Sequence, residues 1–150
     1  MQLRANRFGH DELLEVPETH LFEFLRGIGG FEQERRYALV VEDDSPVEWL
    51  QSVDDPNVGF PLLEPFLFYP DYAFELPDAV ASSLGLDGPE DALVRCVLTL
   101  HERAEETTAN LLAPIVLNRA SQRGLQVVLQ DANLPLRFLV FEALQLTADA

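Results

Sequence analysis

The residue types that most often carry catalysis or bind metal ions are few in this sequence and lie far apart. His10, His20 and His101 are the three histidines, and Cys96 is the single cysteine, of a chain of 150 residues. Their spacings match none of the HExxH, paired-histidine or CxxC patterns that bring zinc ligands together. We therefore expect no catalytic residue, no cofactor and no metal site, and we interpret Cys96 as a small apolar residue of the core.

The glycine-rich and aspartate-rich segments also lack a chemical motif. Gly27, Gly29 and Gly30 in RGIGGFE (26–32) do not make the GxGxxG spacing of a phosphate-binding loop, and no helical pattern follows them. We predict a tight turn in which these glycines adopt positive φ values. DDPN (54–57) lacks the spacing of an EF-hand loop and is predicted to be a plain turn.

Charge is the most unusual feature of the composition. The chain has 26 acidic and 10 basic residues, a net charge of −16, and every basic residue is an arginine. Residues 37–94 contain no basic residue at all. Such a surface repels nucleic acid and anionic membranes, attracts a basic partner, and also favours solubility. The many carboxylates leave open a catalytic acid and base pair of the glycosidase kind. The distance between two carboxylates in space, and not in sequence, decides whether they form such a pair.

The sequence also indicates the compartment. A single cysteine excludes an intrachain disulfide and is typical of a reducing environment. Arg4 and Arg7 are followed by FGHDELLEV rather than by the apolar core of a signal peptide. No uncharged apolar segment approaches the roughly 20 residues of a membrane span. We expect a soluble cytoplasmic protein of one domain, residues 1–150.

The elements that must position these side chains are mostly strands. Alternating or continuous apolar runs of strand length occur in LFEFLRGIGGFE (21–32), RYALVVE (36–42), ALVRCVLTLHE (92–102) and GLQVVLQD (124–131), and LRFLVFEAL (136–144) is predicted to be a last strand or a short helix. Nothing long and helical separates these runs. We predict a mainly β fold, a small antiparallel β-barrel-like or sandwich domain with one or two short helices.

Two short helices are predicted from their end signals. SPVEWLQS (45–52) begins with a capping serine, has proline at the first helical position, and carries glutamate three residues after the cap. LPDAVASSLGL (76–86) has Pro77 at its start and Gly85 where a left-handed residue ends a helix.

Two proline-containing segments require bends. GFPLLEPFLFYPDY (59–72) has three prolines among its aromatic residues, so it cannot be an uninterrupted central strand; it either fills the core or forms a protein-binding face. In TTANLLAPIVLN (107–118), Asn110 and Asn118 flank an apolar run interrupted by Pro114. We predict a bend at the proline whose freed backbone groups bond to the two amides, and a direct partner contact remains the alternative.

Taken in order, several of these motifs resemble the flagellar assembly factor (FliW) family. The matching segments are RGIGGFE (26–32), WLQSVDDP (49–56), the aromatic and proline pattern from Phe60 to Tyr72, TTANLLAPIVLN (107–118) and GLQVVL (124–129). The resemblance covers nearly the whole chain. Glu48 and Leu134 depart from it, because the family pattern has an apolar or aromatic residue before the tryptophan and an aromatic one near position 134.

The resemblance implies a small β-barrel-like fold and no catalysis. It also implies two cytoplasmic partners, flagellin and the carbon storage regulator CsrA, a basic RNA-binding dimer that represses flagellin translation. A family member released by flagellin export would then remove CsrA from the flagellin message. We expect no direct binding of nucleic acid and no membrane association. A small carbohydrate-active or metal-assisted hydrolase, or an acidic chaperone-like module for another partner, remain alternative functions.

Charge and pattern select the candidate residues. Those predicted to contact a partner are acidic, with one aromatic anchor: Glu42, Asp43, Asp44, Asp54, Asp55, Asp71, Tyr72 and Glu75. Those that match the family motifs and are predicted to be structural are Gln51, Asn110, Pro114 and Asn118. A chain so acidic, bound beside the RNA site of CsrA, would lower RNA affinity through its potential alone.

Overall fold

The residues that the structure describes form a β-barrel, a separate two-stranded β-hairpin and the α-helix that follows the aromatic segment. The structure is a computed structural model, and it describes residues 1–130, 133–141 and 143. Its strands are β1 (Gln2–Arg7), β2 (His10–Glu15), β3 (Leu21–Phe24), β4 (Arg36–Val40), β5 (Glu48–Ser52), β6 (Gly59–Leu63), β7 (Ala92–Thr99), β8 (Thr108–Ala109), β9 (Ile115–Asn118), β10 (Arg123–Gln126) and β11 (Phe138–Leu139). The helix, α1, spans Asp78–Leu84.

Seven strands close the barrel. Their order is β7, β6, β5, β4, β3, β10 and β9, and β9 pairs again with β7. The β3–β10 pair is parallel and every other pair in the barrel is antiparallel. Because the sheet closes, each of the seven strands has a neighbour on both sides, and the open edges that a flat sheet would expose are removed. The predicted mainly β, barrel-like fold is confirmed.

The barrel wall is buried on both faces. Successive side chains of a strand point to opposite faces, so neighbouring residues belong to different clusters. Leu62 and Leu117 pack in one cluster with Phe24, Tyr37 and Leu39. Their neighbours Leu63 and Val116 pack in a second cluster that includes Tyr72, Leu84 and Cys96. A third cluster, built on Leu3, Val16 and Ala38, attaches the β1–β2 hairpin to the outside of β4.

The helix predicted over residues 76–86 is present and the one predicted over 45–52 is wrong. Gly85 ends α1 at φ 73°, the left-handed conformation that favours glycine, and its N–H donates to Ser82 O. Residues 48–52 instead form β5, which pairs with β4 and β6. Ser45 Oγ accepts the N–H of Val47 at 3.1 Å in a local turn. Pairing with two neighbouring strands stabilises this segment as a strand more than the short capping signal stabilises it as a helix.

The glycine-rich segment is a turn as predicted, but only one of its three glycines has the predicted positive φ. Ile28 and Phe31 form a bridge across it, and Gly30 alone of the three glycines has a positive φ, 89°. A Cβ on Gly27 would lie 2.3 Å from Glu32 Cα, so this position needs glycine because another part of the backbone approaches it.

The proline-rich segment is interrupted as predicted. β6 ends at Leu63, and a 3-10 turn over Pro65–Leu67 follows it. Pro61 lies inside β6 opposite Trp49, while the pairing of β6 with β7 begins only at Leu62. Pro61 therefore lies in the part of the strand that has a partner on one side.

The two segments near the C-terminus form shorter strands than predicted. Within 124–131, only residues 124–126 belong to β10, and Asp131 lies outside the described residues. Within 136–144, Phe138 and Leu139 form β11, which pairs with β8, and residues 140, 141 and 143 are helical, so both predicted forms occur. Residues 142 and 144 lie outside the described part.

Candidate protein-binding surface

The acidic residues predicted at the interface do not form one cluster. Glu42, Asp43 and Asp44 lie in the turn between β4 and β5, whereas Asp54 and Asp55 lie in the turn between β5 and β6. Five residues of β5 separate the two turns. At roughly 3.3 Å per residue, the two acidic turns are about 16 Å apart, at opposite ends of this strand.

Arginines neutralise one acid in each turn. Arg7 contacts Glu42 at 2.8 Å and also pairs with Glu12, while Arg36 pairs with Asp54. Burial lowers the pKa of Arg7, but the bonds to Glu12 and Glu42 raise it more, so the net shift is upward. The hydrogen bond to Asp54 likewise raises the pKa of Arg36. The unpaired charge of these turns is therefore smaller than the sequence indicates.

Tyr72 is placed in the core rather than at the surface. Its side chain is 3% exposed, and its hydroxyl donates a hydrogen bond to Leu111 O at 2.6 Å. Burial raises the pKa of this hydroxyl. Tyr72 therefore offers little surface to a partner, although it contributes to the lining of the adjacent groove. The neighbouring ring of Phe66, 6.2 Å away between centroids, is the exposed one.

A groove of about 610 Å³ lies beside Tyr72. One wall is the segment 72–78, which leads into α1, and the other is the segment 86–94, which leads into β7. Phe66, Leu76, Leu86 and Val94 contribute apolar side chains to its lining. We call it the acidic groove, because its charged lining residues are Glu75, Asp78 and Asp87.

The charge around the acidic groove has one sign. No arginine or histidine is among the described residues that line it. Two predicted interface residues are exposed here: Glu75 lies in the first wall, and Asp71 immediately precedes it in the sequence. Asp91 is also nearby in sequence, and its carboxylate accepts the N–H groups of Asp87 and Gly88, which fixes the second wall. An apolar floor with a rim of acids suits a basic, partly apolar protein segment.

Sequence reasoning missed half of this groove. The predicted interface residues do not include Leu86, Asp87 and Val94, which α1 separates from the aromatic segment, or Asp78, which is the first residue of α1. The available signal is the continuation of base-free acidic sequence on both sides of α1. It predicts a charged region without showing that two of its parts face each other.

A smaller exposed aromatic site lies at the tip of the β1–β2 hairpin. Phe8 is 67% exposed, and its ring centroid is 5.3 Å from that of Trp49. The guanidinium of Arg7 lies 5.8 Å from the Trp49 ring. No pattern in the sequence indicates this contact, because positions 8 and 49 meet only when the hairpin packs against the barrel.

Gln51 is fully buried and holds the turn that carries Asp54 and Asp55. Its Nε2 lies within 3.1–3.3 Å of the carbonyl oxygens of residues 52, 55, 56 and 58. Its Oε1 accepts the indole N–H of Trp49 at 2.9 Å. The amide thus links β5 to the following turn.

Asn110 and Pro114 lie in the bend between β8 and β9, and Asn118 is the last residue of β9. Asn110 Oδ1 accepts the N–H groups of Leu112 and Ala113, both at 3.0 Å. Pro114 is buried, and its carbonyl accepts the N–H of Val127 at 2.9 Å. The buried Asn118 donates to the Leu84 carbonyl at 2.8 Å, at the end of α1.

The residues suited to catalysis or metal binding stay apart. His10 and His101 are exposed, while His20 Nδ1 lies 3.1 Å from Leu39 O. In the part of the chain that the structure describes, no three His, Cys, Asp or Glu side chains are placed to hold a metal ion. Cys96 is fully buried, and burial raises the pKa of its thiol to about 12, which fits a core residue.

Two further properties bear on the hydrolase alternative and on membrane association. The buried polar side chains of the described residues are Gln51, Ser52 and Asn118, none of which is a carboxylate. None of the described helices has the length and apolar character needed to cross a membrane.

Comparisons with known proteins give one consistent result. The family model described as FliW protein matches residues 3–140. The flagellar assembly factor FliW of Caldicellulosiruptor saccharolyticus is 39% identical over 142 residues, which cover 95% of this chain and 91% of that protein. That of Syntrophus aciditrophicus is 38% identical over 139 residues, covering 92% and 86%. A solved structure, the crystal structure of the flagellar assembly factor FliW, superposes with a TM-score of 0.84 at 33% identity, covering 94% of this chain and 97% of that one.

Proposed function

The chain belongs to the FliW family of flagellar assembly factors, and from this premise we propose that it binds flagellin and antagonises the translational regulator CsrA. It acts in the cytoplasm through protein contacts, without catalysis. Flagellin and CsrA draw on the same pool of the protein, so export of flagellin frees it to bind CsrA.

The observation that supports this proposal is the acidic groove. Residues 71–91 contain six acids and no basic residue: Asp71, Glu75, Asp78, Asp87, Glu90 and Asp91. All six are exposed, and three of them line an apolar groove. A basic protein partner gains both apolar burial and charge complementarity at such a site.

The same charge accounts for antagonism without contact to RNA. A bound chain of net charge −16 places negative potential beside the RNA site of CsrA. Within about 10 Å, the screening length at 0.1 M salt, this potential repels phosphates and lowers RNA affinity. The effect weakens as salt concentration rises.

The test is calorimetric titration of the protein with purified CsrA and, separately, with flagellin from the same genome, at low and high salt. The groove variant carries Glu75→Lys, Asp78→Lys and Asp87→Lys. Its control carries Glu102→Lys, Glu105→Lys and Glu106→Lys, three exposed acids beyond the far end of β7, so both variants have the same net charge.

We expect submicromolar binding that weakens with salt, and a loss of about tenfold or more for at least one partner in the groove variant. The control variant should lose much less. A third variant that reverses Glu42, Asp43 and Asp44 tests the β4–β5 turn as the second surface. Equal losses of affinity in all variants would show that net charge, rather than the groove, determines binding. Absence of binding to both partners would overturn the proposal.

A further inference from the structure

One wall of the acidic groove includes residues 73–76, which lie outside the strands of the barrel. Among the described residues, none forms a hydrogen bond with the N–H or C=O groups of residues 73–76. Phe74 and Leu76 are half-buried and pack against the core, whereas Ala73 and Glu75 are exposed. This alternation is the side-chain pattern of a strand.

The ends of this segment are fixed. Tyr72 anchors one end through its hydroxyl bond to Leu111 O, and Pro77 at the other end accepts the N–H groups of Val80 and Ala81 in the first turn of α1. The segment is thus held at both ends, and it has no partner strand among the residues that the structure describes. Unpaired backbone of this kind is a template for an added β-strand.

The groove next to the segment defines what such a strand carries. Apolar side chains of Phe66, Leu86 and Val94 receive apolar residues, while Glu75 and Asp87 at the rim receive basic ones. No basic side chain among the described lining residues competes for those carboxylates. Charge complementarity therefore selects a cationic peptide over an anionic one.

We propose that the acidic groove binds an extended segment of a partner protein in which apolar residues alternate with Lys or Arg, and that this segment pairs with the backbone of residues 73–76 as an additional β-strand. The inference rests on the proposed function only in taking a protein as the ligand. A helical segment would satisfy its own backbone groups and leave those of residues 73–76 unpaired.

The probe is a capped octapeptide of alternating valine and lysine, and its control is the same sequence N-methylated on alternate residues. Methylation removes backbone donors from one edge of the peptide and keeps its charge. A valine and glutamate octapeptide tests the sign of charge. Binding is measured by calorimetry, and amide hydrogen exchange is followed at residues 73–76 by NMR.

We expect the amides of residues 73–76 to exchange fast in the free protein and about tenfold or more slower with the valine and lysine peptide. The N-methylated and the glutamate peptides should bind about tenfold or more weakly. Slow exchange before peptide is added, equal binding of the methylated peptide, or no binding at about 1 mM would each overturn the inference.

Two variants separate backbone pairing from charge. Ala73→Pro removes one backbone donor at an exposed position, and Glu75→Lys removes one rim charge, with Glu105→Lys as its control at the far end of β7. Both groove variants should weaken the peptide, and the control should not. If flagellin or CsrA binds as proposed, but neither Ala73→Pro nor excess peptide affects that binding, strand addition is wrong while the proposed function stands.

Discussion

Trp49 donates its indole N–H to the side-chain oxygen of Gln51 over 2.9 Å. The two residues lie on the same face of β5 because they are two positions apart. Since this bond uses the amide oxygen, the amide nitrogen is free to donate to the turn that follows, where Asp54 and Asp55 are located. One buried side chain therefore connects the barrel wall to a predicted interface turn.

The first prediction concerns this amide. Gln51→Ala should lower the free energy of unfolding by about 1–3 kcal/mol, because it leaves buried carbonyls and the Trp49 N–H without their partner. Urea unfolding followed by the fluorescence of Trp49, the single tryptophan, measures the change. The matched control is Gln33→Ala, an exposed position in a turn. An equal midpoint for both variants would contradict the role assigned to Gln51.

The β4–β7 region shows how far the sequence predicts the fold. Alternating apolar residues predict β4 and β7 correctly, although Ala38, between the alternating Tyr37 and Leu39 of β4, is buried as well. The capping pattern before Trp49 predicts a helix wrongly, because β4 and β6 determine that segment from outside it. Likewise the aromatic segment leaves open whether Tyr72 fills the core or faces a partner. Contacts with residues distant in sequence decide this, since Tyr72 packs in the second cluster and its hydroxyl bonds to Leu111 O, 39 residues away.

The candidate site is harder to predict than the fold for the same reason. The excess of acids over bases near α1 follows directly from the sequence. That residues on the two sides of α1 form opposite walls of one groove depends on the reversal of the chain at Gly85 and on the packing of Leu84 in the core. No local pattern in the sequence shows that these two walls face each other.

The second prediction separates the architectural role of the two asparagines from a partner contact. Asn118→Ala should cost about 1–3 kcal/mol of unfolding free energy, because its amide is buried between Leu84 O and Ala120 N. Asn110→Ala should cost about 1 kcal/mol, since its turn is partly exposed. The exposed Asn6→Ala is the control for thermal and urea unfolding. Intact stability with lost partner binding would instead assign these amides to the interface.

The third prediction concerns the ion pair of Glu48 and Arg95. Their side chains are 13% and 12% exposed, and Arg95 Nε donates to Glu48 Oε1. Glu48→Leu alone should cost about 3 kcal/mol, because it leaves a nearly buried guanidinium without its partner. The double variant Glu48→Leu with Arg95→Met should recover most of this loss, as apolar replacements of buried pairs do. Additive losses in a double-mutant cycle would show that the pair is not coupled.

The fourth prediction compares two buried tyrosines. The Tyr37 hydroxyl has no hydrogen-bond partner among the described residues, whereas the Tyr72 hydroxyl bonds to Leu111 O. Tyr72→Phe should therefore lower the unfolding free energy by about 1 kcal/mol, and Tyr37→Phe should leave it unchanged or raise it. The two variants serve as controls for each other in urea unfolding. The opposite order would show that the Tyr37 hydroxyl is satisfied.

The last prediction is loss of stability at alkaline pH. Burial raises the pKa of Cys96 from 9.0 to about 12, and burial with the nearby Glu34 raises that of Tyr37 from 10.0 to about 12. In both groups the folded state favours the neutral form, so their stabilisation is complete below pH 9 and is lost between pH 9 and 12. The urea midpoint should therefore fall as pH rises through this window.

Cys96→Val isolates the thiol from the tyrosines. Valine is apolar and cannot ionise, so this variant should keep its midpoint up to about pH 10, where tyrosine ionisation in the unfolded chain begins. The wild type should already lose stability above pH 9, the ordinary pKa of a thiol. Identical pH profiles for the two proteins would mean that Cys96 ionises as easily in the fold as in the unfolded chain, which contradicts its burial against Leu63 and Val116 in the second cluster.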